Sequence, residues 1–247
     1  MSRAHLYVIG IGPGDPELLT LKAVRALKEV RCVIVPKGQQ EGASLALTIA
    51  QGAVDLSNKT IVEVHFPMVK TTADTTKQAE LDTKWKAAAE IILDVLKAYK
   101  TAAFITLGDP SIYSTYYYVH PILKDRLPEA EISFVPGISS INASACCASI
   151  PLTLGNERLA VLPATYEDEG LEAILRDFDT VILMKVHKVF DRIVAILERL
   201  GLLNQAIYIS HVGMKDQRIY QDLRGIAETE RDYFSLIIVK KTRPLSL

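Results

Sequence analysis

Cysteine is scarce in this 247-residue chain: Cys32, Cys146 and Cys147 are the whole set, and no C-x-x-C spacing occurs. So sparse and odd a set excludes a disulfide framework and a structural zinc site, and it fits a reducing cytoplasm. A surplus of charge of one sign is lacking too. Lys plus Arg is 28 against 29 for Asp plus Glu, a net charge of −1, so no global basic field exists to hold nucleic acid. Any anionic partner must meet a local basic patch. Long apolar runs are missing as well: about four apolar residues precede Gly10, too few for the centre of a secretory signal. The longest uncharged stretch, Ile132 to Asn156, is broken by Pro136, Gly137, Pro151 and Gly155 and reads as strand, turn and helix rather than a membrane span. Nor does any histidine fall in H-E-x-x-H spacing, which excludes a hydrolytic metal site of that type.

What is present is an ordinary globular composition, 49% hydrophobic and 23% charged, in a chain long enough for one large domain or two modest ones. Short apolar runs rich in β-branched residues read as strands at His5 to Ile9, Arg31 to Val35, Thr60 to Phe66, Ala102 to Leu107 and Glu131 to Val135. The series continues at Arg158 to Leu162, Thr180 to Met184, Ala206 to Ser210 and Phe234 to Lys240. Helical patterns lie between them at Asp15 to Val30, Thr75 to Lys97, Ser139 to Ala148 and Val189 to Leu200. The alternation predicts an α/β protein with mainly parallel sheets, whose ligands sit beyond the carboxyl ends of strands. A new strand series opens at Glu131, so the expected division is an N-terminal α/β domain over 1–121, a C-terminal one over 122–241, and a frayed tail over 242–247.

Three strand-to-helix loops carry the candidate chemistry. Gly10-Ile-Gly-Pro-Gly-Asp-Pro places Asp15 where a dinucleotide fingerprint needs Gly or Ala, and a capping carboxylate there would repel a pyrophosphate. A turn with a helix cap explains Gly14 and Asp15, while three glycines around Pro13 suggest that Gly12 and Gly14 leave room for a ligand against the backbone. Leu107-Gly-Asp-Pro-Ser-Ile-Tyr is an ordinary turn by itself. At a strand end, however, Asp109 offers an anionic acceptor and Gly108 a close approach. Tyr113, Tyr116, Tyr117 and Tyr118 follow, more polar-tipped aromatic surface than a helix core usually holds. The third loop, Val135-Pro-Gly-Ile-Ser-Ser, offers Ser139 or Ser140 as a helix cap and lacks the last glycine of a nucleophile elbow.

Taken in order with Leu18-Leu-Thr and Ile150-Pro-Leu-Thr, these loops resemble those of the tetrapyrrole methylases, S-adenosylmethionine (SAM)-dependent enzymes of cobalamin and sirohaem synthesis. The likeness runs from about Leu6 to Val239. Within the family, the Lys22-Ala-Val-Arg helix, the Glu41-Gly-Ala-Ser segment and the Gly108 to Tyr118 stretch look most like members that methylate the C-20 meso carbon of precorrin-2 or cobalt-factor II. The resemblance implies two α/β domains with SAM in the cleft between them, usually in a homodimer, and S-adenosylhomocysteine as product. By motif it puts Pro13, Leu107, Gly108, Asp109, Ile112, Ser139, Ser140, Met184, Gly213 and Leu236 around SAM. His211-Val-Gly-Met departs from the Ala-Thr or Gly-Thr often found there, and Met184 also suits a strand core.

The implied chemistry is attack by an electron-rich meso carbon on the sulfonium methyl, followed by loss of a proton. Asp109, Tyr113, His120 and water are all candidate acceptors for that proton. The macrocycle's carboxylates call for basic contacts, first Lys37, then Lys70 and Lys185, and Tyr116 and Tyr117 would form a wall against its flat face. No protein-bound metal is expected, since the substrate's own nitrogens can hold cobalt, and neither nucleic acid nor membrane is an expected partner. Other readings stay open: uroporphyrinogen-III methylation or another precorrin C-methylation within the family, and outside it a non-catalytic SAM or tetrapyrrole binder.

Overall fold

The computed structural model describes residues 3–38, 44–67, 75–165 and 167–242, in two compact units that divide between Ser139 and Ser140. Lys70, the segment from Glu41 to Ala43 and the tail from Arg243 onward lie outside the described residues. Unit 1 runs β1 (His5–Gly10), α1 (Leu21–Glu29), β2 (Cys32–Lys37), α2 (Leu45–Ala53), β3 (Thr60–His65), α3 (Thr75–Tyr99), β4 (Thr101–Thr106), α4 (Tyr116–Arg126) and β5 (Glu131–Val135). Its five strands are all parallel, in the order β3-β2-β4-β1-β5.

That order decides where a ligand can sit. From β1 the chain steps towards one edge through β2 and β3, then reverses through β4 to β5 at the other edge. Right-handed crossovers therefore put α1 and α2 on one face and α3 and α4 on the other. Alternating strand residues agree: Leu6, Val8, Ile34 and Phe104 pack with Trp85, Ile92 and Tyr116, whereas Ile9, Val33, Val35 and Ile105 pack with Ala23, Leu27 and Ile49. The neighbours β1 and β4 thus send their helices to opposite faces, and the crevice beyond their carboxyl ends is the topological switch point.

The expected division at residue 121 is displaced. β5 pairs with β1 in parallel, His5 opposite Glu131, so the strand expected to open the second domain is the edge of the first sheet. α4 continues through His120 and Pro121 to Arg126, since proline keeps a helical φ and costs the helix one N–H donor. The helix expected over Asp15 to Val30 is also split. Asp15 caps a single 3-10 turn at Pro16–Leu18, Leu19 is extended, and Thr20 caps α1 anew by accepting from Ala23 N–H at 3.1 Å.

Unit 2 runs α5 (Ser140–Cys147), β6 (Leu159–Pro163), α6 (Asp168–Asp177), β7 (Thr180–Met184), α7 (Phe190–Arg199), β8 (Ala206–Ser210), β9 (Arg218–Tyr220) and β10 (Ser235–Lys240). Its sheet has the order β6-β7-β10-β8-β9. Only β6 and β7 are parallel; the other three pairings are antiparallel, so the expectation of mainly parallel sheets holds for unit 1 alone. Parallel neighbours usually need an α-helical crossover, and no α-helix lies between β8, β9 and β10, only a 3-10 turn at Glu228–Glu230. Leu171, Leu175, Ile193 and Leu197 cover one face of this sheet. Among the described residues no helix is long and apolar enough to cross a membrane.

The start of the expected frayed tail is fastened. Thr242 Oγ1 and the buried Lys240 Nζ both donate to Glu157, which also accepts from Leu154 N–H at 2.8 Å. Lys240 foremost, then Thr242, holds the Glu157 carboxyl down at about 2, against an ordinary value of 4.5. Since the folded value is the lower one, this contribution is full above the ordinary value and is lost as pH falls through about 2. Glu157→Gln is expected to flatten the fall of the melting temperature across that acid window, as thermal melts at a series of pH values would read.

Candidate functional site

The loops after β1, β4 and β5 meet main chain to main chain at the switch point. Gly12 N–H donates to Gly108 O at 3.3 Å and Gly108 N–H to Gly12 O at 2.8 Å, a small bridge in which both glycines take left-handed φ, +78° and +65°. Gly10 and Gly137 lie where side chains cannot. A Cβ on Gly10 would come within 2.6 Å of Gly108 O and 2.7 Å of Gly137 N, and one on Gly137 would clash with Gly108 O.

Asp109 fastens this junction. Its Oδ1 accepts from Ser111 N–H at 2.8 Å and from the Ser111 hydroxyl, while Oδ2 accepts from Gly137 N–H at 2.9 Å. Burial pushes this carboxyl up, but the bonds from the Ser111 hydroxyl, Gly137 N–H and Ser111 N–H together outweigh it and hold it below the usual aspartate range. Thr20 ties α1 to the same place, its hydroxyl donating to Pro136 O at 3.4 Å. Beyond Asp109, Tyr113 is 48% exposed and takes a φ of +54°, a left-handed backbone that a bulky residue adopts only where its surroundings impose it.

In unit 2 the corresponding residues gather at one end of the sheet. Leu236, at the start of β10, lies opposite Met184 on β7 and Ile209 on β8. Lys185 and His211, each directly after its strand, are left-handed at +59° and +51°, and Gly213 follows at +76°. His211 Nδ1 is 2.5 Å from Asp216 and its Nε2 2.9 Å from Asp232, so the ring joins the loop after β8 to the segment before β10.

A family model of the tetrapyrrole (corrin/porphyrin) methylases matches residues 5–227, nearly the whole chain. The chain belongs to this family. Over 243 residues it is 37% identical to a Methanocaldococcus jannaschii protein named a probable cobalt-precorrin-2 C(20)-methyltransferase, with 96% of each chain covered. It is 34% identical over 238 residues to the cobalt-precorrin-2 C(20)-methyltransferase of Salmonella typhimurium, again with 96% of each covered. The fold is shared with the Thermus thermophilus uroporphyrin-III C-methyl transferase solved with S-adenosylhomocysteine, at a TM-score of 0.66 and 23% identity, covering 97% of this chain and 98% of that one.

As a tetrapyrrole methylase, the chain brings some of the expected site residues together and sets others apart. Gly108, Asp109 and Ile112 share the β4 loop beside Gly12, with Leu107 half-buried against the α1 and α2 side of the sheet. Pro13 and Gly14 are buried in the first loop. Ser139 closes unit 1 as a buried residue and Ser140 opens α5. Met184 and Leu236 are register partners.

Four expectations need correction. Tyr116 is fully buried among Phe104, Phe134 and His120, so it belongs to the core and cannot form a wall for a macrocycle. Its neighbour Tyr117 is exposed and stacks on Phe134 at 5.6 Å. The space expected at Gly12 is taken by the protein, since a Cβ there would meet Leu18 O at 3.3 Å. Lys37 is committed to Glu63 at 3.1 Å, so its charge is matched within the sheet edge. His120 Nδ1 lies 3.1 Å from the Tyr116 hydroxyl, on the core side of α4. Sequence reasoning missed Ser111 and Gly137 as partners of Asp109, although Asp-Pro-Ser is itself the signal of an Asx turn.

Proposed function

We propose that this chain methylates the C-20 meso carbon of a cobalt-containing precorrin-2 in cobalamin biosynthesis, with SAM as methyl donor. The observation that carries the reading is the likeness, over 96% of each chain, to two proteins named for that activity. SAM supplies a methyl group already activated on its sulfonium, so the protein's part is alignment and exclusion of water. Two features of the structure support such a ligand. The Gly12–Gly108 bridge keeps side chains out of the crevice beyond β1 and β4, and the half-buried Met184, in register with the buried Leu236, offers an apolar side chain to a heterocycle. We assign SAM to Pro13, Leu107, Gly108, Ile112, Ser139, Ser140, Met184, Gly213 and Leu236, with Asp109 acting through the loops it fastens.

None of the three side chains considered for proton removal suits that role. Asp109 spends both oxygens on the junction. His120 is engaged with Tyr116. Burial raises the Tyr113 phenol above its ordinary value, so it is protonated at neutral pH and serves as a donor. The C-20 proton is assigned to water, and the Tyr113 hydroxyl to a carboxylate of the macrocycle. On this assignment Tyr113→Phe raises KM for the tetrapyrrole about five- to ten-fold with SAM affinity unchanged, as expected for one lost hydrogen bond. His120→Ala leaves kcat within about two-fold, where loss of a general base would cost 100-fold or more, roughly.

Carbon NMR of product made from methyl-labelled SAM, with precorrin-2 and its cobalt complex offered in parallel, tests the function. A methyl at C-20, formed faster on the cobalt complex, is the expected result. A methyl on a peripheral pyrrole carbon would refute the regiochemistry while leaving the family intact. A homodimer in a reducing cytoplasm completes the proposal. The three free thiols support the compartment, and light scattering reads the assembly.

A further inference from the structure

The loop after β8 folds as two consecutive turns, Met214 N–H donating to His211 O at 2.9 Å and Gln217 N–H to Met214 O at 3.1 Å. In the first turn Gly213 holds the third position at a φ of +76°, the left-handed value of a type II turn. Types I and II differ by rotation of the central peptide, here the one joining Val212 to Gly213. One side chain fixes that rotation: Gln217 Oε1 accepts from Gly213 N–H at 2.8 Å. The same oxygen accepts from the Cys147 thiol at 3.5 Å, so two donors converge on it and set which way round the amide lies. Because the peptide is planar and trans, holding its N–H towards Gln217 turns the Val212 carbonyl to the opposite side. The His211 bridge to Asp216 and Asp232 braces the loop at both ends.

We propose that Gln217 is a positioning residue for the cofactor, selecting through the Gly213 N–H the one peptide orientation in which this loop receives SAM. The inference rests on the assignment of Gly213 to the SAM contacts. Leucine at Gln217 removes the acceptor and frees the peptide to rotate, whereas glutamate keeps an acceptor at the same reach. Calorimetry with SAM on the 247-residue chain is expected to show Gln217→Leu weaker by about ten-fold and Gln217→Glu within about two-fold of the parent. At saturating SAM the kcat of Gln217→Leu should stay within about two-fold, since an orienting group acts on binding rather than on the transfer itself.

Unchanged SAM affinity in Gln217→Leu overturns the role, as does a loss in Gln217→Glu as large as in the leucine variant. If the leucine variant does not fold, the glutamate variant still decides, because retained affinity is required of it. Gly213→Ala, strained at its left-handed φ, separates the two layers of the argument. Normal SAM binding there removes the assignment of Gly213, and Gln217 as its positioning residue with it. Weak binding there beside normal binding in Gln217→Leu removes the role of Gln217 alone.

Discussion

Gly137→Ala is expected to destabilise the chain by about 3 kcal/mol and to remove most of its methyl-transfer activity. The added methyl would be driven into Gly108 O and within 2.7 Å of the Gly10 carbonyl carbon, both of them backbone atoms that no rotamer change can move. Relief requires the β5 loop to withdraw from the β4 loop, which breaks the bond from Gly137 N–H to Asp109. Gly137 has no left-handed φ, so the cost is steric and not conformational. Gly155→Ala is the matching control: that glycine is left-handed at +54° with nothing within 4 Å, and alanine there should cost only about 1 kcal/mol. Urea melts of both variants decide the matter, and a Gly137→Ala midpoint like that of Gly155→Ala would refute the close junction.

The same three loops show how much could be read beforehand. Strands at His5 to Ile9 or Thr180 to Met184 were legible because β-branched apolar runs bounded by turn residues have few other uses. β9 was not, since Arg218–Tyr220 is three residues long, half of its hairpin is polar, and its place follows from pairing with β8. α2 was missed because Leu45–Ala53 is apolar nearly all round and shows little contrast between faces. Two loops share a device that was half visible. Asp15 accepts from Glu17 N–H and Asp109 from Ser111 N–H, each at 2.8 Å, in the pattern Asp-Pro-x. The local half of each is in the sequence. The reach of Asp109 to Gly137 is not, because it depends on β5 joining the sheet beside β1. For the same reason nothing in His211-Val-Gly-Met announced that its histidine would be held by carboxylates from two separate segments.

Asp109→Asn is expected to lower stability by about 2 kcal/mol and to weaken SAM binding about ten-fold, although it preserves shape. The carboxylate has an acceptor for every donor around it, from Ser111 N–H and hydroxyl on one oxygen to Gly137 N–H on the other. An asparagine amide can accept on one side only, so its nitrogen must face another N–H. Ser111→Ala should cost less, about 1 kcal/mol, because the Ser111 N–H keeps its partner. The Asp109 carboxyl lies below its ordinary value of 3.8 in the folded chain, so its contribution is full above that value and is lost as pH falls through the lower folded one. The gap in melting temperature between parent and Asp109→Asn should therefore narrow on acidification. Gly137→Ala and Asp109→Asn dismantle one junction, so the double variant should lose less than the sum of the two single losses. Strict additivity in those melts, with SAM affinity lost in Asp109→Asn alone, would mean that the carboxylate meets the cofactor itself and that the fastening of the loops is incidental.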